Sequence, residues 1–201
     1  MIIFVFNFIS MGILPLKYIT ELEYLEQEIL SLEKHEYFEG EIFAMSGASI
    51  PHNKIFSNLF LSVGNKLKGK PCQPYGSDLR IHIPKNSLFT YPDLSIICGD
   101  IETSENSFDT VTNPTVLFEI LSPSTRNYDL GQKFELYRQI DSLKEYILID
   151  SESVKILKYV RNNDNTWLLS EKNQITDILK INTLEIELTI FDIYDNVKFE
   201  K

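Results

Sequence analysis

The stretch from Thr115 to Asp150 constrains the fold more than any other part of the chain: an apolar run, TVLFEIL, is followed by SPSTRNYDLGQKFELYRQI and then, after the four residues DSLK, by EYILID. Both apolar runs have strand length and are rich in Ile, Leu and aromatic residues. The segment between them begins with Pro123 and capping residues and places Leu130, Phe134 and Tyr137 at i, i+4 and i+7, which predicts a core helix. Strand, helix, strand with links this short predicts a right-handed crossover between parallel strands.

Upstream, TELEYLEQEILS has Leu22, Leu25, Ile29 and Leu32 near helical spacing behind Thr20 as N-cap. YFEGEIFAMSG reads as a tight hairpin or a strand kinked at Gly40, ending at Gly47. HNKIFSNLFLSVGNKLKG sets Ile55, Leu59, Val63 and Leu67 four apart, an amphipathic helix closed by Gly69. DLRIHIP and YPDLSIIC add two core strands. After Asp150 the pattern turns antiparallel, with SVKILKYV and TWLLSE as a hairpin around RNNDN and a short element near LEIELTIFDIY. With no repeat, low-complexity tract or Gly/Ser linker, residues 15–201 read as a single domain behind an N-terminal extension, residues 1–14. The apolar start, MIIFVFNFISMGIL, lacks the basic residue and cleavage site of a signal peptide and falls short of the roughly 18 to 20 apolar residues a membrane span needs. A translation start at Met11 is the simpler expectation, and no later segment could span a membrane.

Hydrophobic residues at 43% and charged residues at 24% describe an ordinary globular chain. Cys72 and Cys98 stand far apart, which suggests neither a disulfide framework nor a zinc cluster and fits a reducing cytoplasm. The three histidines have no metal-type spacing, and neither a Gly-rich phosphate loop nor a G-x-S-x-G elbow is present, so zinc hydrolysis, nucleotide hydrolysis and serine hydrolysis lose support. A net charge of −10 argues against a broad basic surface for nucleic acid and predicts weak, metal-dependent binding of any DNA partner.

Two carboxylates stand out. Asp93 follows Pro92 at the start of one core strand, and Glu119 sits inside another that is otherwise apolar. An unpaired charge there costs several kcal/mol, so it needs a partner. Alternation puts Glu119 on one face with Leu117 and Leu121, and Val116, Phe118 and Ile120 on the other. If the strands are neighbours, Asp93 and Glu119 lie side by side, and a hard divalent cation, Mg²⁺ or Mn²⁺, would relieve their repulsion. The bland alternative has Asp93 capping a turn and Glu119 paired with Arg80 or Arg126.

FEGEIFAMSG followed by PHNKI, then SDLRI, YPDLSIIC, LFEILSPSTRNYDLGQKFELYRQI and KEYILID together resemble the restriction-endonuclease-like proteins of the PD-(D/E)XK nuclease superfamily, from about Tyr18 to Asp150. The resemblance implies an α/β (α+β) fold, a mixed β-sheet flanked by helices, and a magnesium-dependent endonuclease acting on DNA. It implies a site of Asp93, Glu119 and an acidic residue matching Glu39, with Asp93, Glu119 and Ile120 on the metal. Where the superfamily has lysine two residues after the glutamate, this chain has Leu121. Lys133 is the candidate replacement, and the alternative for it is a solvated surface lysine. His52, Asp78 and Arg126 are candidates to orient substrate. By analogy the enzyme would be a homodimer if it cuts both strands of a duplex at once. The rival functions are a nuclease fold that no longer cuts and serves as a binding or regulatory module, and a carboxylate-pair glycosidase, which would not need metal.

Overall fold

The computed structural model describes residues 17–45, 47–105 and 107–199. The expectations for residues 1–14 and for Met11 lie outside them. Helix α1 (Glu21–Leu30) opens on a capping box: the Thr20 hydroxyl accepts from the Glu23 N–H, and the Glu23 carboxylate accepts from the Thr20 N–H. Its expected apolar stripe is only partly used. Tyr24 and Leu25 are buried, whereas Leu22, Ile29 and Leu32 are exposed, because α1 packs through one short face on Tyr37 and Phe89.

Residues 35–44 form a hairpin of β1 (His35–Phe38) and β2 (Glu41–Ala44). It turns at Glu39 and Gly40, both with positive φ, 47° and 92°. A Cβ on Gly40 would lie 2.2 Å from the Tyr18 ring, so both conformation and space exclude a side chain. Gly40→Ala should cost roughly 1–3 kcal/mol of stability. A thermal melt checks this, and an unchanged midpoint would mean that Tyr18 steps aside freely.

Helix α2 (Ile50–Leu67) begins at Ser49, whose hydroxyl accepts from the His52 N–H, and ends before Gly69 at φ 82°. It buries Ile55, Leu59, Val63 and Leu67, the stripe read from the sequence. Next come β3 (Cys72–Gly76), β4 (Arg80–Ile83), β5 (Leu88–Thr90), β6 (Leu94–Cys98), β7 (Thr103–Ser104), β8 (Ser107–Val111) and β9 (Val116–Leu121). Then follow α3 (Arg126–Leu130), α4 (Gln132–Tyr137), β10 (Glu145–Asp150), β11 (Ile156–Arg161), β12 (Trp167–Lys172), β13 (Ile178–Ile181), β14 (Ile186–Thr189) and α5 (Ile190–Ile193).

These strands make two mixed six-stranded sheets, in the orders β2-β1-β5-β4-β8-β7 and β12-β11-β10-β9-β6-β3, with β13 and β14 paired apart. Strands β9 and β10 run parallel, joined by the crossover. That crossover is two short helices rather than the one expected, because Gly131 leaves helical geometry at φ −115° and ψ −96°. The break turns Lys133, Leu136 and Tyr137 inward, all buried.

The second sheet carries a core on each face. Val116, Phe118 and Ile120 of β9 pack with Ile55, Leu59 and Val63 of α2, and Leu117 and Leu121 pack with Leu136 and Tyr137 of α4. This is the alternation read from the sequence, and it leaves Glu119 on the α4 side.

The cysteines correct an expectation. Strands β3 and β6 are antiparallel with Cys72 opposite Cys98, so residues far apart in the chain meet with Cα atoms 3.9 Å apart and form a disulfide. No helix among the described residues is long and apolar enough to cross a membrane.

Candidate active site

Asp93 is the residue before β6, and the antiparallel register of β6 with β9 sets Leu94 opposite Phe118. One step further, Asp93 comes opposite Glu119. Side chains continue the ladder there: the Ile120 N–H donates to Asp93 Oδ2 at 2.7 Å, and the Asp93 N–H donates to Glu119 Oε2 at 3.3 Å. The register therefore produces the pairing of carboxylates that the sequence suggested.

Neither arginine is the partner of Glu119. Arg80 donates to Thr110, Tyr91, Ser107 and Asp109, and Arg126 donates to Asp150 and Glu152. The partner is Lys133, whose Nζ lies 2.9 Å from Glu119 Oε1, 3.1 Å from Glu36 Oε1 and 3.7 Å from Asp129 Oδ1. The Tyr137 hydroxyl donates to the same Glu119 oxygen at 2.7 Å. Lys133 is only 5% exposed, which removes the reading of a solvated surface lysine.

These groups form the floor of a cavity of about 620 Å³, with Phe43, Met45, His52, Phe56 and Tyr128 among its walls. On the floor four carboxylates, Glu36, Asp93, Glu119 and Asp129, face one ammonium. Burial pushes Glu119 above the usual carboxylate range; Lys133 opposes the rise, and Asp129 and Asp93 add to it. Burial likewise raises Asp129, again against Lys133. For Lys133 burial favours the neutral amine, but Glu119, Glu36, Tyr137 and Asp129 outweigh it and hold the ammonium well above the ordinary lysine value. The site is short of positive charge.

Whether a divalent cation fits can be judged from the donors. Among the described residues no three His, Cys, Asp or Glu side chains are already gathered as a ligand set. Two adjacent carboxylates with surplus negative charge suit Mg²⁺ or Mn²⁺, since Mg²⁺ takes one or two carboxylates and keeps several waters. Ile120 lines the cavity beside them and has only main-chain oxygen to offer.

The remaining candidates separate clearly. His52 is in the site, with Nε2 3.3 Å from Asp93 Oδ2 and Nδ1 buried without a partner among the described residues. Glu39 is not. It occupies the exposed hairpin turn, and the acid of β1 that reaches the floor is Glu36, held by the Thr90 hydroxyl and Lys133. Asp78 has a fully exposed side chain paired with Lys34, outside the cavity lining. Arg126 is tied to Asp150 by a bidentate pair at 2.6 and 2.8 Å, so it braces the crossover against β10. Sequence reasoning missed Glu36, Asp129 and Tyr137. For Asp129 a signal existed, since it stands four residues before Lys133.

Residues 22–192 match the family described as Uma2, putative restriction endonuclease. Two uncharacterized proteins of Synechocystis sp. are similar: one is 37% identical, covering 92% of this chain and 96% of the relative, and the other is 36% identical, covering 77% and 88%. The crystal structure of a putative nuclease belonging to DUF820 from Anabaena variabilis overlays with a TM-score of 0.68 at 18% identity, over 85% of this chain and 96% of that one. The fold is thus the one seen in that crystal structure. The family match runs from α1 to α5 and takes in every residue of the cavity floor, and on that ground this chain belongs to the Uma2 family of putative restriction endonucleases.

Proposed function

We propose that the protein is a metal-dependent endonuclease that hydrolyses phosphodiester bonds in DNA. The observation that carries this reading is the floor of the cavity, where Asp93 and Glu119 stand side by side with the Lys133 ammonium 2.9 Å from Glu119. Asp93 and Glu119, with Ile120, would hold Mg²⁺ or Mn²⁺. The bound ion would supply a Lewis acid and a water of lowered pKa.

The rest falls to the chain's own groups. Lys133 keeps its proton and places positive charge where negative charge develops on the phosphorane oxygens. Its stem grows from α4, yet its charge lies beside Glu119, the place that the superfamily's strand lysine would serve. Tyr137 and the Asp93 N–H fix the Glu119 carboxylate, and the Ile120 N–H fixes that of Asp93. His52 holds Asp93 from the side of α2. Water gives up a proton to solvent as it adds to phosphorus, the P–O bond to the leaving oxygen breaks, and that oxygen takes up a proton from solvent.

The direct test is cleavage of plasmid and single-stranded DNA with Mg²⁺, Mn²⁺ or EDTA. Cleavage that EDTA abolishes supports the reading, and cleavage that EDTA spares favours the glycosidase-like use of two carboxylates. DNA binding without cleavage under any metal would make the chain a binding module. A separate prediction needs no substrate: Mg²⁺ or Mn²⁺ should raise the thermal midpoint, since a ligand bound only by the folded state stabilises it. The Asp93→Ala variant should lose that response, and an equal shift in both proteins would place the metal elsewhere.

A further inference from the structure

The mouth of the cavity is built differently from its floor. In the hairpin, Phe43 is the direct cross-strand partner of Glu36. Directly opposite residues of an antiparallel pair share a face with Cβ atoms about 4.5–5.5 Å apart. Phe43 therefore stands one strand out from the carboxylate that touches Lys133, and it lines the cavity while remaining 46% exposed. Phe56, half-buried, and Tyr128, also half-buried, supply two further aromatic walls. A large exposed ring beside a catalytic floor is poor use of surface unless something covers it.

We propose that the substrate this site accepts is unpaired DNA, with Phe43 as the platform on which the base next to the scissile phosphate stacks. The proposal rests on the nuclease reading above and adds the form of the substrate. Glu119, Asp129 and Lys133 are 3–5% exposed, at the bottom of the cavity. A duplex keeps its bases stacked inside and bends only at a cost, so it must be deformed before it can offer both a phosphate to that floor and a base to Phe43. A single strand can do both.

Charge points the same way. A duplex is gripped through many phosphates by many cations. The lysines lining this cavity are Lys34 and Lys133, against Glu33, Glu36, Asp93, Glu119 and Asp129. Lys34 is already held by Ser77 and Asp78. Stacking on aromatic rings binds unpaired strands with little regard to sequence and does not need a basic surface of that extent. A monomer would also suffice, since one strand is cut at a time.

The test compares one sequence as a single strand, as a blunt duplex and as a duplex with a single-stranded gap. With Mg²⁺ or Mn²⁺ the single strand and the gap should be cut at least about tenfold faster than the blunt duplex. Fluorescence anisotropy in the Lys133→Met background, where cleavage is suppressed, should show Phe43→Ala losing on the order of tenfold in affinity for the single strand, with Phe43→Trp retaining it. Equal or faster cutting of the blunt duplex overturns the proposal while leaving the nuclease reading intact. Unchanged single-strand affinity in Phe43→Ala overturns it as well. If no DNA is cut, the nuclease reading fails separately, and anisotropy still decides whether an unpaired strand is preferred through Phe43.

Discussion

Lys133→Met should lower cleavage by on the order of a hundredfold or more and lower the thermal midpoint by roughly 10 °C. The first effect follows from the role proposed for the charge in the transition state, and the metal binding proposed for Asp93 and Glu119 should persist. The second follows from the partners of the ammonium. Methionine keeps most of the stem's packing but leaves Glu36, Glu119 and Asp129 facing one another in a buried space. Removing one side of a buried ion pair costs about 3–5 kcal/mol, because the charges left behind are uncompensated. A solvated lysine would produce neither effect. Leu121→Lys in the same background restores a cation on the face of β9 that Glu119 shares, and should recover cleavage in part. Wild-type activity in Lys133→Met would sink the assignment, and His52 would become the cation to examine, since Arg126 is already committed to Asp150.

Asp93→Asn should abolish cleavage, a loss of about a thousandfold or more, while the metal-free midpoint stays level or rises. Asparagine keeps an oxygen to accept the Ile120 N–H and removes one negative charge from the floor. Asp93→Ala differs in one respect: it leaves that N–H without its acceptor, a cost of about 1–3 kcal/mol. The comparison separates two roles of one side chain. If Asp93→Asn cleaves DNA, the carboxylate charge is not what the reaction uses, and the metal assignment falls with it. If both variants melt far below the wild type, Asp93 is a structural cap.

How much of this was legible in the sequence depended on how local the cause was. The facing of Glu119 followed from alternation within six residues of one strand, and the four-residue stripe of α2 from one helix. The pairing of Asp93 with Glu119 needed only that two strands be neighbours. Lys133 could be nominated, but its depth depended on the break at Gly131, which a continuous helical pattern concealed. Glu36 was out of reach for a different reason. Its role rests on the hairpin register and on Thr90 and Lys133, which come from β5 and α4. Once Gly40 is read as the turn, though, Glu39 beside it cannot serve a strand face. The disulfide was hidden in the same way, since the meeting of Cys72 with Cys98 is a fact of strand register and not of spacing. Arg126 and Asp78 misled because a charge near a motif looks functional until its own partner is known.

The placement of Lys133 on the crossover rather than on β9 has a consequence for when the site exists. Glu119 lies in β9 and Asp93 directly before the adjacent β6 of the second sheet, whereas their cation arrives from a helix that begins after a break at Gly131. The two halves meet only when α4 is docked. An intermediate with the sheet formed and the crossover loose would carry both acids in register yet lack the charge that the reaction needs. On the proposed function, competence to cut would be acquired as the crossover closes, and the chain would stay harmless to nucleic acid until then.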